Sequence, residues 1–235
     1  MALAYPSFRT AEPLSPYLPE NLRRGLVLYL WMNEGAGDRV YDLSGNGNHG
    51  TIYGATWTRL ASGKSALHFD GVDDRVEVPD NPSNRLGDEG TLIAWTLWRG
   101  PTSKFQDVVR RHYILGWCVV GGVDFRAWIW DGNWRDFPYP SPYRTAMPQN
   151  KWVFQAFSYR YGDKAIVFVN GAVATYSAPY KPVLRATNWG IGWGGSDYSY
   201  EYFNGIIGMV LIYSRALSDA EIRALYNLHR GLFVG

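Results

Sequence analysis

Cysteine, histidine and long apolar runs are scarce in this sequence of 235 residues, and each shortage excludes a class of protein. A single cysteine, Cys118, allows no disulfide framework within the chain. The four histidines are far apart and show no zinc-type spacing. No run of 18 apolar residues could cross a membrane, and a net charge of +2 gives no electrostatic case for nucleic acid. The sequence therefore predicts neither a membrane nor a nucleic-acid partner.

The first 24 residues differ in composition from the rest. Four prolines forbid a continuous helix, yet apolar residues recur between them, which favours an extended arm that lies along its own domain or along a neighbour. A disordered tail is the alternative. No basic start precedes an apolar run, so no signal peptide is expected. We predict an arm over residues 1–24 and a folded domain over 25–235, with arm contacts from Leu3, Tyr5, Phe8, Leu14, Tyr17 and Leu18.

From residue 25 onward, short apolar strands alternate with turn residues about every ten positions, which predicts an all-β sandwich. Asn170-Gly171 between two apolar runs predicts a hairpin with a type I′ turn. Trp95, Trp152 and Phe157 are expected to point inward. Ser218 and Glu221 form a capping-box pattern that predicts one short C-terminal helix, and Arg230-Gly231 marks its expected end.

Several segments in register resemble the laminin-G-like, concanavalin A-like jelly-roll family over residues 25–228. They are Gly25–Leu30 with 33–37, Asp42–Trp57, 69–74 with Val76–Val78, 168–171, 203–207 and 212–222. The resemblance implies a concanavalin A-like jelly-roll β-sandwich of two antiparallel sheets. It also implies a range of functions, because the family contains sugar-binding modules, adhesins and virion surface proteins. Fold alone therefore does not settle the function.

The stretch DLSGNGNHG, residues 42–50, concentrates turn-forming residues. It lacks the lysine of a phosphate-binding loop. Two interpretations stay open: a tight turn in which Asp42 and Ser44 bond local amides, and a calcium loop whose candidate ligands are Asp42, Asn46 and Asn48. The family resemblance implies calcium here with an acidic residue in the last strand, but Gly208-Met209 stands in that place. No cofactor is therefore predicted, with calcium as the alternative.

Catalytic motifs are missing from the sequence. Glucanases of related fold carry a Glu-x-Asp-x-x-Glu row on one strand, which this chain lacks. Carboxylates cluster at Asp70, Asp73, Asp74 and Glu77, and those of Asp73 and Asp74 are expected to form a turn or face solvent. No Gly-x-Ser-x-Gly nucleophile elbow is present either. We therefore expect that the protein is not an enzyme.

Residues 128–143 and 189–203 each contain six aromatic residues, more than a core needs. Loop aromatics beside Asp and Asn side chains are typical of sugar platforms and equally of protein interfaces. Local packing is the third interpretation of these aromatics. The candidates for the two binding roles are Trp130, Asp131, Asn133, Trp134, Tyr139, Trp193, Asp197 and Tyr198.

These features favour a non-catalytic structural protein. The first prediction is a virion surface component, such as a capsid decoration or tail- or fibre-associated protein of a bacterial virus. It would be made in the host cytoplasm and attached by its arm to its own copies or to a capsid or tail protein. The alternative is an extracellular carbohydrate-binding module or lectin that is exported without a signal peptide, with glycans as partners.

Overall fold

The computed structural model describes residues 18–101, 105–112, 114–120, 124–143, 147–195 and 201–234. Within these residues it forms sixteen strands and one α-helix. In chain order the strands are β1 Leu26–Trp31, β2 Arg39–Val40, β3 Gly50–Tyr53, β4 Thr56–Arg59, β5 Ser65–Asp70, β6 Arg75–Val78, β7 Glu89–Trp98, β8 Phe105–Arg111, β9 Leu115–Val120, β10 Asp124–Trp130, β11 Trp134–Pro138, β12 Trp152–Arg160, β13 Asp163–Val169, β14 Ala172–Ala178, β15 Trp189–Ile191 and β16 Asn204–Tyr213. The helix, α1, spans Asp219–Phe233.

The strands form two antiparallel sheets of eight strands each. The first sheet has the order β14-β13-β12-β7-β16-β5-β4, and β1 also pairs with β16 beyond the end of β5. The second sheet has the order β11-β10-β9-β8-β15-β6-β3-β2. Buried apolar residues from the inner faces of both sheets form one cluster between them. The predicted β-sandwich of two antiparallel sheets is therefore confirmed.

The outer face of the first sheet, which points away from the second, is covered by α1 and by residues 18–22. Trp95 lies on this face, fully buried, with its ring centroid 4.9 Å from that of Phe233 and 5.8 Å from that of Tyr226. Trp152 also contacts Phe233, at 4.8 Å. Only Phe157 of the three aromatics predicted inward belongs to the core between the sheets. The prediction that Trp95 and Trp152 point inward is therefore wrong, because both lie on the outer face of the first sheet, against α1.

The helix starts where the sequence predicts and ends later. Ser218 accepts a hydrogen bond from the Glu221 amide, and the Glu221 carboxylate accepts one from the Ser218 amide, which confirms the capping box. The helix continues through Gly231 to Phe233 because Phe233 is packed on the first sheet. None of the described helices is long and apolar enough to span a membrane.

Candidate functional site

The outer face of the second sheet carries one row of residues that are paired in register across seven strands. We call it the cross-sheet row: Thr51, Glu77, Gly190, Arg110, Gly116, Trp128 and Asp136. Neighbours of these residues along the strands, such as Val76 and Ile129, belong to the inter-sheet core. Because side chains alternate along a strand, the row points away from the core.

Two glycines flank Arg110 in the cross-sheet row, and each lies beneath a tryptophan. A Cβ at Gly116 would lie 2.9 Å from Cζ2 of Trp128. A Cβ at Gly190 would lie 2.7 Å from the carbonyl oxygen of Trp193. These positions need glycine because rings and backbone approach the sheet closely there. The row thus presents aromatic groups on either side of one arginine.

A hairpin of tryptophans occupies one end of the row. Trp130 pairs with Trp134 across the β10–β11 turn, with ring centroids 4.8 Å apart, and the Trp134 ring meets Trp128 edge-on at 4.7 Å. In the turn, the Asp131 carboxylate accepts a hydrogen bond from the Asn133 amide at 3.0 Å. The structure therefore brings together four of the predicted site residues, and Trp134 keeps 43 % of its surface exposed.

A second aromatic group lies at the other end of the row. The guanidinium carbon of Arg75 is 4.3 Å from the ring centroid of Tyr53 and 5.2 Å from that of Trp193. Tyr53 is 42 % exposed and Trp193 is partly buried. The predicted residue Trp193 therefore faces the same side of the sheet as Trp134, with Arg110 between the two groups.

Beneath these rings lies a charge cluster that the sequence analysis missed: Asp107, Arg110 and Glu201. Nη1 of Arg110 donates to Asp107 Oδ2 at 2.8 Å and to Glu201 Oε2 at 2.5 Å. All three residues are at most 5 % exposed. Burial, and then the negative charge of Asp107, raise the pKa of Glu201 to about 8. The guanidinium also lies 4.9 Å from the Trp128 ring centroid and 5.5 Å from that of Trp134.

The charge cluster connects the sheet to the segment that carries Trp193. The amides of Asp107 and Gly194 both donate to the carbonyl oxygen of Glu201, and Trp193 forms a β-bridge with Tyr202. Gly194 passes so close that a Cβ there would lie 2.3 Å from Glu201 Oε2. The cluster therefore holds this segment against the outer face. The charged residues Asp107 and Arg110, between the valines and beside Arg111 in the strand Phe105–Arg111, were the available sequence signal.

Other predicted site residues lie elsewhere. Tyr139 is 3 % exposed inside the sandwich, where its hydroxyl donates to Gln155 Oε1, so it cannot reach a ligand on the surface. Leu18 is 1 % exposed and packs beneath its own domain with Leu22. The remaining candidates lie outside the described residues: Asp197, Tyr198, Leu3, Tyr5, Phe8, Leu14 and Tyr17.

The loop at residues 42–50 has the geometry of a tight turn. The Asp42 carboxylate accepts four hydrogen bonds: from the amides of Tyr29, Ser44 and Asn48 and from the Ser44 hydroxyl. The Asn48 side-chain oxygen accepts from Ser83 and Asn84. These donors occupy the oxygens that a cation would need, so Asp42 and Asn48 do not fit a calcium site.

The acidic turn that follows β5 also uses its carboxylates internally. Asp74 Oδ2 accepts from the Asp70 amide and Asp70 Oδ1 accepts from the Val72 amide, each at 2.8 Å. Their carboxylates and that of Asp73 lie within 4.8 Å of one another. Burial raises the pKa of Asp74. These contacts form a turn, as the sequence predicts.

Comparison with known proteins agrees with this architecture. A family model described as "Concanavalin A-like lectin/glucanases superfamily" matches residues 70–223, about two thirds of the chain. No curated protein sequence matches the chain.

Three solved structures illustrate the structural likeness. The binding domain of Paraclostridial Mosquitocidal Protein 1 has a TM-score of 0.69 at 16 % identity, over 88 % of this chain and 52 % of that one. Domain 4 of AbnA, an extracellular arabinanase from Geobacillus stearothermophilus, was solved in complex with arabinotriose. It has a TM-score of 0.66 at 18 % identity, over 85 % of this chain and 97 % of that one. The ligand-binding domain of botulinum neurotoxin serotype D, in complex with N-acetylneuraminic acid, has a TM-score of 0.68 at 14 % identity, over 88 % of this chain and 52 % of that one. The chain thus spans about half the length of the two toxin domains.

Proposed function

Because this chain belongs to the concanavalin A-like lectin/glucanase superfamily, we propose that it is a carbohydrate-binding domain whose binding surface is the outer face of the second sheet. The compared arabinanase domain is in complex with arabinotriose and the neurotoxin domain with N-acetylneuraminic acid. Those ligands belong to those proteins. They support carbohydrate as the ligand class here, and the residues of this chain carry the rest of the argument.

The exposure of Trp134 is the observation that carries the proposal. All eleven tryptophans are described, and Trp134 alone is among the exposed large apolar side chains. Its ring is held edge-on by Trp128 and Trp130, so the platform is rigid before a ligand arrives. An indole face stacks on the apolar C–H face of a sugar ring, and the neighbouring Asp131 and Asn133 can hydrogen-bond its hydroxyls.

The proposal is for binding without catalysis. The paired carboxylates on this face, Asp107 and Glu201, are 1 % and 5 % exposed and are both engaged by Arg110. A substrate could not reach them without displacing the segment that carries Trp193. No catalytic role is therefore assigned to them.

An assembly role through residues 1–24 stays a prediction from the sequence. Residues 1–17 lie outside the described part of the chain, and Leu18 is buried in its own domain. Neither the described residues nor the compared proteins favour a virion surface component. The carbohydrate proposal does not depend on where the protein is located.

Trp134→Ala tests the proposal. We expect glycan binding on an array to fall by about tenfold or more, because the exposed and rigid aromatic anchor of the surface is removed. The matched control is Tyr161→Ala, which removes an aromatic ring of equal exposure, 43 %, from the turn between β12 and β13. Unchanged binding by a correctly folded Trp134→Ala protein, checked by circular dichroism, would reject this face as the site.

A further inference from the structure

A cavity lies at the edge of the second sheet, between β2, the loop at residues 42–50 and the segment that follows β6. Its volume is about 150 Å³, which is room for several water molecules. We call it the edge pocket, and its lining residues are Arg39, Gly47, Asn48, His49, Pro79 and Asn81. Because Arg39 pairs with Thr51, the edge pocket adjoins the end of the cross-sheet row.

Arg39 brings an uncompensated positive charge to the edge pocket. Its side chain is exposed, and it forms no ion pair with any carboxylate in the described part of the chain. Asp38, its neighbour in the chain, does not line the pocket. Asp80, between Pro79 and Asn81 in the opposite wall, is already bound by two other guanidinium groups, those of Arg85 and Arg111. The charge of Arg39 is therefore left for a ligand.

Two further side chains present hydrogen-bond donors because their acceptor atoms are already used. Nδ1 of His49 accepts from the Asp42 amide at 3.0 Å, which places the proton of the neutral ring on Nε2. Oδ1 of Asn81 accepts from the Ser83 amide at 3.0 Å and from the Ser83 hydroxyl at 2.9 Å. The Nε2–H group of His49 and the Nδ2–H groups of Asn81 therefore remain as donors.

The acceptors in the wall of the edge pocket are used within the protein. Oδ1 of Asn48 accepts from the Ser83 hydroxyl and from Nδ2 of Asn84. The carbonyl oxygen of Pro79 also accepts from Nδ2 of Asn84, at 2.9 Å. The side chains that line the pocket thus offer donors and no free acceptor. A hydroxyl both donates and accepts, whereas the oxygens of a carboxylate or sulfate only accept, so this lining favours an oxyanion.

We propose that the edge pocket binds one oxyanionic group, a carboxylate or a sulfate. Arg39 supplies the charge and a planar fork of donors, and His49 and Asn81 supply further hydrogen bonds. The exposed ring of Tyr53 lies on the same face, two residues and about 7 Å beyond Thr51 along β3. A glycan that carries the group is one source of it, in which case the inference rests on the proposed function and makes acidic glycans the preferred ligands. A free inorganic anion is the other source.

Sulfate alone tests the edge pocket without a glycan. Sodium sulfate is titrated into the full chain against sodium chloride at constant ionic strength, and the N–H signals are followed by NMR. We expect saturable shifts at the lining residues, and an affinity about tenfold lower or less in Arg39→Met, because the charge-assisted hydrogen bonds are lost. The matched control is Arg59→Met, which removes an exposed arginine from β4 in the first sheet and should leave sulfate binding unchanged. Shifts that do not saturate, or that are equal in both variants, would overturn the inference.

Asn81→Asp is the sharper variant, because it reverses one donor and keeps the local fold. Aspartate retains the oxygen that accepts from the Ser83 amide at the start of the turn Pro82–Asn84. It replaces the free donor by an acceptor and adds a negative charge, so sulfate binding should be lost. Asn227→Asp makes the same change on the exposed side of α1, across the sandwich, and should leave sulfate binding unchanged. Sulfate binding by Asn81→Asp equal to that of the unaltered chain would contradict the proposed pocket.

A glycan array distinguishes the two sources of the oxyanion. Each neutral glycan is printed beside its carboxylated and its sulfated counterpart. If a glycan carries the group, the acidic members should give a signal about tenfold above the neutral ones, and this preference should disappear in Arg39→Met. Equal signals on acidic and neutral members, with sulfate still bound, would assign the edge pocket to a free anion. Signal on no glycan, with sulfate still bound, would overturn the proposed function and leave the edge pocket as an oxyanion site.

Discussion

The outer faces of the two sheets both bury a tryptophan, Trp95 on the first and Trp128 on the second, but different groups cover them. Trp95 lies under the apolar side of α1, stacked against Tyr226 and Phe233. Trp128 packs against the guanidinium of Arg110 and the exposed ring of Trp134. The apolar cover of α1 keeps Trp95 out of reach of a ligand. On the second face, the covering groups include the exposed ring of Trp134, which a ligand can contact.

The two kinds of cover also differ in what they contribute to stability. Burying aromatic surface under a helix stabilises the fold directly. A buried ion cluster loses most of its Coulombic gain to desolvation, although breaking it is costly. We therefore interpret the Asp107–Arg110–Glu201 cluster as a set of contacts that positions Trp134 and the segment carrying Trp193, and not as a main source of stability.

Phe233→Ala should have the largest effect, on the helix-covered face. Truncating a buried phenylalanine costs about 3–5 kcal/mol, and Phe233 contacts both Trp95 and Trp152. Urea denaturation measures this loss, while glycan binding by the protein that stays folded should be retained. The control is Leu228→Ala on the same helix, 43 % exposed, which should cost about 0.5 kcal/mol or less. Equal costs for the two would show that α1 is not held by this contact.

Arg110→Met should have the next largest effect, on the opposite face. It leaves the buried carboxylate of Asp107 without its cation, which costs about 3 kcal/mol at neutral pH. Arg126→Met is the matched control, because its ion pair with Asp136 is partly exposed and is worth about 1 kcal/mol or less. A cost for Arg110→Met no larger than that of the control would mean that the cluster is not intact in solution.

The sequence predicted local features well. The Asn170-Gly171 turn has positive φ at both residues, 48° and 100°, as a type I′ hairpin requires, and the Ser218 capping box starts α1. It could not predict which face Trp95 occupies. Alternation shows which residues share a face, but here both faces of the first sheet are buried, so hydrophobicity no longer distinguishes inner from outer. The prediction that Tyr139 lies on the surface was wrong for a different reason. Its position in a proline-rich segment suggested an exposed loop, but the side chain is buried in the sandwich.

The cross-sheet row could not be found from sequence because it depends on the register of seven strands from distant parts of the chain. Asp107 and Arg110 add a second obstacle. Residues three apart on a regular strand point to opposite faces, but a bulge between Asp107 and Val109 brings these two side chains to the same face. The proximity of Trp130 and Trp134 was predictable, since one short hairpin holds both.

Gly208→Ala should weaken the helix-covered face by a smaller amount than Phe233→Ala. A Cβ at Gly208 would lie 2.3 Å from Cε1 of Phe233, so the ring must shift away from Trp95, at a cost of about 1–3 kcal/mol. Gly87→Ala is the control, since a Cβ there meets no atom within 4 Å. Thermal denaturation of both variants measures the difference. A Gly208→Ala protein as stable as the control would show that the end of α1 moves freely over the sheet.

Glu201→Gln should change how the free energy of unfolding depends on pH more than it changes the magnitude of that free energy. It is therefore the test with the smallest expected effect on the charged face. Burial and Asp107 raise the pKa of Glu201 from 4.5 to about 8, so between these values the folded chain holds a proton that the unfolded chain has lost. The stability that this proton contributes is fully present below pH 4.5 and is lost as the pH rises through about 8. Glutamine stays neutral throughout, so the variant should gain stability relative to the unaltered chain as the pH rises across this range. Urea midpoints of the two proteins at several pH values measure the change, with Glu89→Gln as the control on the first sheet. Parallel profiles for Glu201→Gln and the unaltered chain would mean that Glu201 is ionised beside Arg110 at neutral pH.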